Sequence, residues 1–82
     1  MDIKKGVYRH FKGSYYEVID LARHSETEEW FVVYRPLNGD KGTWIRPAKM
    51  FFDTVGKEGQ ERPRFSYVAD RPDLIKNDNL SS

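Results

Sequence analysis

Short runs of β-prone residues alternate with glycine-rich and polar breaks along the chain, the pattern of a small barrel or sandwich. Gly6 precedes the first run, Val7 to Phe11, and Lys12-Gly13-Ser14 reads as a turn. The second run, Tyr15 to Arg23, has no clean parity. Tyr16, Val18 and Ala22 share one side, while Ile19 and Leu21 share the other. A bulge near Asp20 would switch the buried face, as strongly bent strands in small barrels require. His24 to Glu28 is a polar break in which Ser25 and Glu28 match the S-x-x-E capping pattern, so one helical turn is expected there.

Trp30 to Arg35 is the strongest strand signal, being aromatic, β-branched and compact. Pro36 ends it or marks an edge. Asn38-Gly39 signals a hairpin because both residues tolerate positive φ, and Asp40-Lys41-Gly42 lengthens the loop. Thr43 to Arg46 returns as a strand, with Trp44 and Arg46 on one side and Ile45 on the other. Pro47 is expected to stop the pairing. Met50, Phe51 and Val55 fall at near-helical spacing, which predicts a short helical turn within Ala48 to Val55. Gly56 to Arg62 reads as a polar loop and Phe65 to Val68 as the last strand.

Together these elements predict a mainly β fold: an SH3-like barrel or roll of about five strands with one short helical turn. The domain is expected over residues 1–69. A polar, loosely ordered C-terminal tail is expected over 70–82.

Composition narrows the function classes. The 82 residues allow one domain with a thin core, and aromatics, at 15%, must supply much of its volume. Cysteine is absent, which excludes a disulfide scaffold and a thiolate zinc site. No apolar run suits a signal peptide or a membrane span, so the cytoplasm is the default location and no membrane partner is expected. With 14 basic and 13 acidic residues, net charge offers no general argument for nucleic acid. The distribution is patchy, however. Residues 25–40 carry four acids against Arg35, and residues 41–64 carry six bases against three acids.

Candidate chemistry is sparse. Only His10 and His24 are histidines, and Ser25, His24 and Glu26 are the nearest approach to a catalytic set. Adjacent strand residues point to opposite faces, so the set does not assemble without help from the turn. No nucleophile elbow, phosphate loop or dinucleotide fingerprint is present. His10, His24, Glu26 and Glu29 include zinc or iron ligands by type, but none sits at diagnostic spacing. Tyr8, Arg9, His10 and Lys12 interleave rings with cations, as do Trp44 and Arg46. Such a face can hold single-stranded nucleic acid. The same rings also suit an ordinary core, with arginines packed as cation–π partners. An open small barrel also offers an edge strand and aromatic grooves to a protein or peptide.

A longer pattern joins these pieces. Gly6-x-Tyr8-Arg9-His10-x-Lys12-Gly13 is followed by Tyr16-x-Val18 and by Ala22-x-His24-Ser25-Glu26-Thr27-x-Glu29. Then come Val32-Val33-Tyr34, Gly39, Trp44-x-Arg46-Pro47-x-x-Met50-Phe51, and Arg64-Phe65. From about Gly6 to Val68 the chain resembles the bacterial family called domain of unknown function 1653. Asn38 stands where an aromatic is expected before the glycine, and Pro36 falls at a position that varies, both at the hairpin. The resemblance implies an SH3-type barrel and no particular activity.

Polar residues inside those motifs serve either a buried hydrogen-bond network or a binding pocket. The expected function is a non-enzymatic binding module with a polar and aromatic pocket lined by Arg9, His10, His24, Glu26, Tyr34, Trp44 and Arg46. Its partner would be a protein, peptide or small ligand, with no cofactor. The alternatives are a single-stranded nucleic-acid-binding barrel, and a small enzyme or metal-binding protein using His10, His24 and Glu26.

Overall fold

The computed structural model describes residues 1–39 and 41–74. Five antiparallel strands form one sheet in the order β4-β3-β2-β1-β7. They are β1 (Gly6–His10), β2 (Tyr15–Arg23), β3 (Trp30–Pro36), β4 (Trp44–Pro47) and β7 (Phe65–Ala69). Between β4 and β7 lie one helical turn, α1 (Ala48–Phe51), and a two-stranded ladder of β5 (Thr54–Val55) and β6 (Arg62–Pro63). The fold is thus mainly β, and its strand order is compatible with an SH3-like roll.

The broken parity of β2 has a geometric cause. Val18 lies opposite Tyr34 and Asp20 opposite Val33, so Ile19 is the extra residue of a bulge. Tyr16 and Val18 before the bulge and Leu21 after it therefore share the inner face. Prolines sit where pairing tolerates them. Pro47 does not stop β4 but ends it, opposite Phe31, because β4 is an edge strand and needs no donor on its outer side. Pro36 ends β3 opposite Tyr16, and the Leu37 N–H takes over, donating to the Tyr15 carbonyl at 3.1 Å.

Two local expectations change. Ser25 to Thr27 forms a hydrogen-bonded turn rather than a helical one. The polar stretch Gly56 to Arg62 is not all loop: Arg62 begins β6 opposite Val55, and residues 56–61 are held between the two strands of that ladder. At the C-terminal end, Pro72–Leu74 makes a 3-10 turn, and the rest of the expected tail, 75–82, lies outside the described residues.

The sheet curls strongly. Strands spaced about 4.8 Å apart would put β3 and β7, three steps from each other, roughly 14 Å apart if flat. Yet the Tyr34 and Phe65 ring centroids are 5.9 Å apart. Phe51 of α1 fills the concavity. It stacks on Phe65 at 4.0 Å and meets Tyr8 and Tyr34 edge-on at 5.4 and 5.6 Å. Val18, Val32 and Ala48 complete this core. Few residues make it, so the rings carry the packing, as the composition implied.

Candidate functional site

One end of the inner face gathers most of the expected residues. Tyr34 and Trp44 face each other across β3 and β4, and Arg46 follows two residues later on the same face. Tyr16 enters from β2, 5.5 Å from Tyr34 and 6.2 Å from Trp44. His10 ends β1 opposite Phe65, with centroids 4.9 Å apart, and lies 6.3 Å from Tyr16. Alternation along short strands thus brings His10, Tyr16, Tyr34, Trp44 and Phe65 to one place. Burial is graded across it. Tyr34 and Phe65 are buried, His10, Tyr16 and Arg46 are half-buried, and Trp44 is 40% exposed.

Arg46 closes the ring of contacts. Its Nε donates to the Tyr34 hydroxyl at 3.3 Å, and its guanidinium lies 5.7 Å from the Phe65 ring centroid, bridging the two edge strands of the sheet. Among the described residues, no carboxylate lies within ion-pair distance of Arg46. Asp53 is nearby but is taken. Arg64 grips both its oxygens, at 2.6 and 3.1 Å, and holds the carboxyl below the usual range.

His10 sits in a positive field. Burial lowers its pKa, and Arg46, Arg64 and Lys12 push it the same way. Its Nδ1 accepts the Lys12 N–H at 3.2 Å, so the neutral ring carries its proton on Nε2. The stability consequence has a definite sign. The unfolded chain, with an ordinary histidine pKa of about 6.5, binds this proton more tightly than the folded one. The His10 contribution is complete above that pH and is lost as pH falls through the lowered folded value. The melting temperature should fall on acidification from pH 7, and His10→Gln should flatten that fall. Superimposable pH profiles for the two proteins would refute this.

The other expected residues lie elsewhere. Arg9 is exposed on the opposite face of β1, paired with Tyr15 and Ser66. His24 and Glu26 sit on the β2–β3 turn, at the far end of β2 from Tyr16, and both are exposed. There the His24 Nδ1 accepts the N–H groups of Glu26 and Thr27 at 3.1 and 3.2 Å. Its backbone closes the turn by exchanging bonds with Glu28 and Glu29. Arg23 completes the arrangement by donating to the Glu28 carbonyl and covering Trp30 at 4.7 Å. This geometry locks a turn, and the structure does not bring His24 or Glu26 to Arg46.

Residues outside the expected set stand beside the site. Phe11 packs 4.5 Å from His10, with Lys12 and Arg62 around its ring. Tyr16 and Phe65 were legible as motif residues but not as neighbours of His10. A groove of about 370 Å³ between Arg35, Pro36, Leu37 and Pro72 has none of these rings in its wall, although the carbonyl of Lys41, which also lines it, accepts the Trp44 indole N–H at 2.9 Å. Among the described residues, no three His, Asp or Glu side chains are placed to hold a metal ion. No described helix is long and apolar enough to cross a membrane.

The family described as "Protein of unknown function (DUF1653)" matches residues 6–67, a span that includes every ring of this cluster. The chain belongs to the DUF1653 family. A crystal structure of a DUF1653 protein from Bordetella bronchiseptica is 40% identical and superposes with a TM-score of 0.72. The similarity covers 82% of this chain and 88% of that one. No curated protein matches.

Proposed function

We propose that this protein is a non-enzymatic binding module, and that its contact surface is the ring cluster around Arg46. The observation that carries the reading is the state of that arginine. It is half-buried among rings, spends one donor on Tyr34, and has no carboxylate partner among the described residues. The carboxylate that its charge reaches, Asp53, is gripped by Arg64, so a half-buried cation here gains by meeting a further anion. Trp44, Tyr16 and His10 offer flat apolar faces beside it. The matching ligand carries both a planar group and a negative charge. His24 and Glu26 serve the β2–β3 turn in this reading.

Phenyl phosphate and benzoate combine those two features and serve as probes. Titrated into the ¹⁵N-labelled protein, they should shift the Trp44 indole, His10 and Arg46 resonances. Arg46→Gln should abolish the response while costing about 1 kcal/mol of stability or less, the value of one ordinary hydrogen bond. Shifts confined to the groove beside Pro72 would contradict the proposal. So would a loss of several kcal/mol in Arg46→Gln, which would make the cluster a structural network.

A further inference from the structure

We infer that the ligand of this surface is single-stranded nucleic acid, an inference that rests on the binding-module reading. Four rings form a row. Trp44 is 6.2 Å from Tyr16, Tyr16 is 6.3 Å from His10, and His10 is 4.5 Å from Phe11, centroid to centroid. None of the four is fully buried. Cations stand beside the row. Arg46 stands at the Tyr34 and Phe65 side. At the other end, Lys12 Nζ and the Arg62 guanidinium lie 5.9 and 5.4 Å from the Phe11 ring. Among the described residues, none of these three cations has a carboxylate within ion-pair distance.

The pattern is what an extended anionic strand requires. Every base presents a π-face, so a row of rings stacks successive bases with little sequence preference, while flanking cations take the phosphates. A lone anion would need one cation and one ring, whereas here the rings and charges continue from β4 to the β1–β2 turn. A duplex hides its base faces and cannot use the row. The chain as a whole is nearly neutral, at +1, so the attraction is local and its salt dependence is set by the three cations beside the rings.

The test is binding of fluorescein-labelled oligothymidylate and oligouridylate, with a duplex of equal length as control. Both single strands, or one if the sugar matters, should bind in low salt and quench tryptophan fluorescence, with the duplex weaker. A slope of log K against log salt of about −2 is expected from three cations. The double variant Lys12→Gln, Arg62→Gln should bring it to about −0.7. Trp44→Leu should weaken binding by roughly fivefold to a hundredfold through the lost stacking. Two results would overturn the inference directly: equal or tighter duplex binding, or an unaffected Trp44→Leu. If neither single strand binds while phenyl phosphate still shifts Arg46, the nucleic-acid assignment fails and the module reading stands. If neither probe binds, both fail.

Discussion

Phe51→Ala should cost about 3–5 kcal/mol, enough to leave much of the protein unfolded near body temperature. The magnitude follows from what the ring joins. Phe51 is fully buried, stacks on Phe65 of β7, and meets Tyr8 of β1 and Tyr34 of β3 edge-on. It is the contact between the helical turn and three strands of a curled sheet. Removing it opens a cavity that rings fixed by their own neighbours cannot fill. A domain of this length has a total stability of roughly 4–12 kcal/mol, so one such cavity is a large share of it. Phe51→Leu should recover about half the loss. The control is the next residue. Phe52 is 47% exposed, and Phe52→Ala should cost less than about 1 kcal/mol. Urea denaturation followed by circular dichroism measures all three, and similar midpoints for Phe51→Ala and Phe52→Ala would refute the account.

The same ring shows what the chain pattern made legible. A short helical turn does form within the expected stretch, at Ala48–Phe51, but Val55 belongs to β5, so the spacing of Met50, Phe51 and Val55 is not its cause and does not say which residue plugs the sheet. Burial picks Phe51, because Met50 and Phe52 face solvent. The long strands were readable for a physical reason: β-branched and aromatic residues, which fit a pleated surface, cluster between turn residues. Even the bulge in β2 showed as a failure of parity, and Ile19 proved to be the extra residue. Two-residue strands carry no period, so β5 and β6 left no trace beyond the glycine that follows Val55. Pro47 misled because a missing donor matters only on an inner strand, and edge position is a tertiary fact.

The candidate site divides along the same line. Tyr34, Trp44 and Arg46 could be grouped from sequence because adjacent strands with a known turn impose their register. His10 joins them only because β7 returns beside β1 and the sheet curls, bringing Phe65 within reach of Arg46. His24 and Glu26 share the motif region but sit beyond a nine-residue strand. Proximity in a motif is not proximity in space, and the polar residues of one motif turn out to serve two ends of the molecule. Phe11 and Arg62 meet from opposite ends of the chain, so no local pattern pairs them.

Gly6→Ala should destabilise the protein by about 2–4 kcal/mol, through the backbone rather than through any lost side chain. Gly6 has a φ of +137°, a conformation that residues with a Cβ rarely adopt, and an added Cβ would come 2.5 Å from the Ala69 carbonyl oxygen. That oxygen and the Asp70 carbonyl oxygen, 3.0 Å away, belong to backbone and cannot swing aside as a side chain would. The substitution therefore forces β1 and β7 apart where Val7 pairs with Ala69. Gly59 separates strain from collision. It also has positive φ, at +84°, but a Cβ there meets nothing within 4 Å, so Gly59→Ala should cost only about 1 kcal/mol. Equal costs at the two positions would remove the collision from the explanation. The location gives the comparison its functional use. Gly6 lies at the opposite end of the β1–β7 ladder from the His10 and Phe65 pair. Below its lowered melting temperature, Gly6→Ala should bind phenyl phosphate and oligothymidylate with the affinity of the unaltered protein. If stability and affinity fall together, the ring cluster is coupled to the whole sheet rather than carried at one end of it.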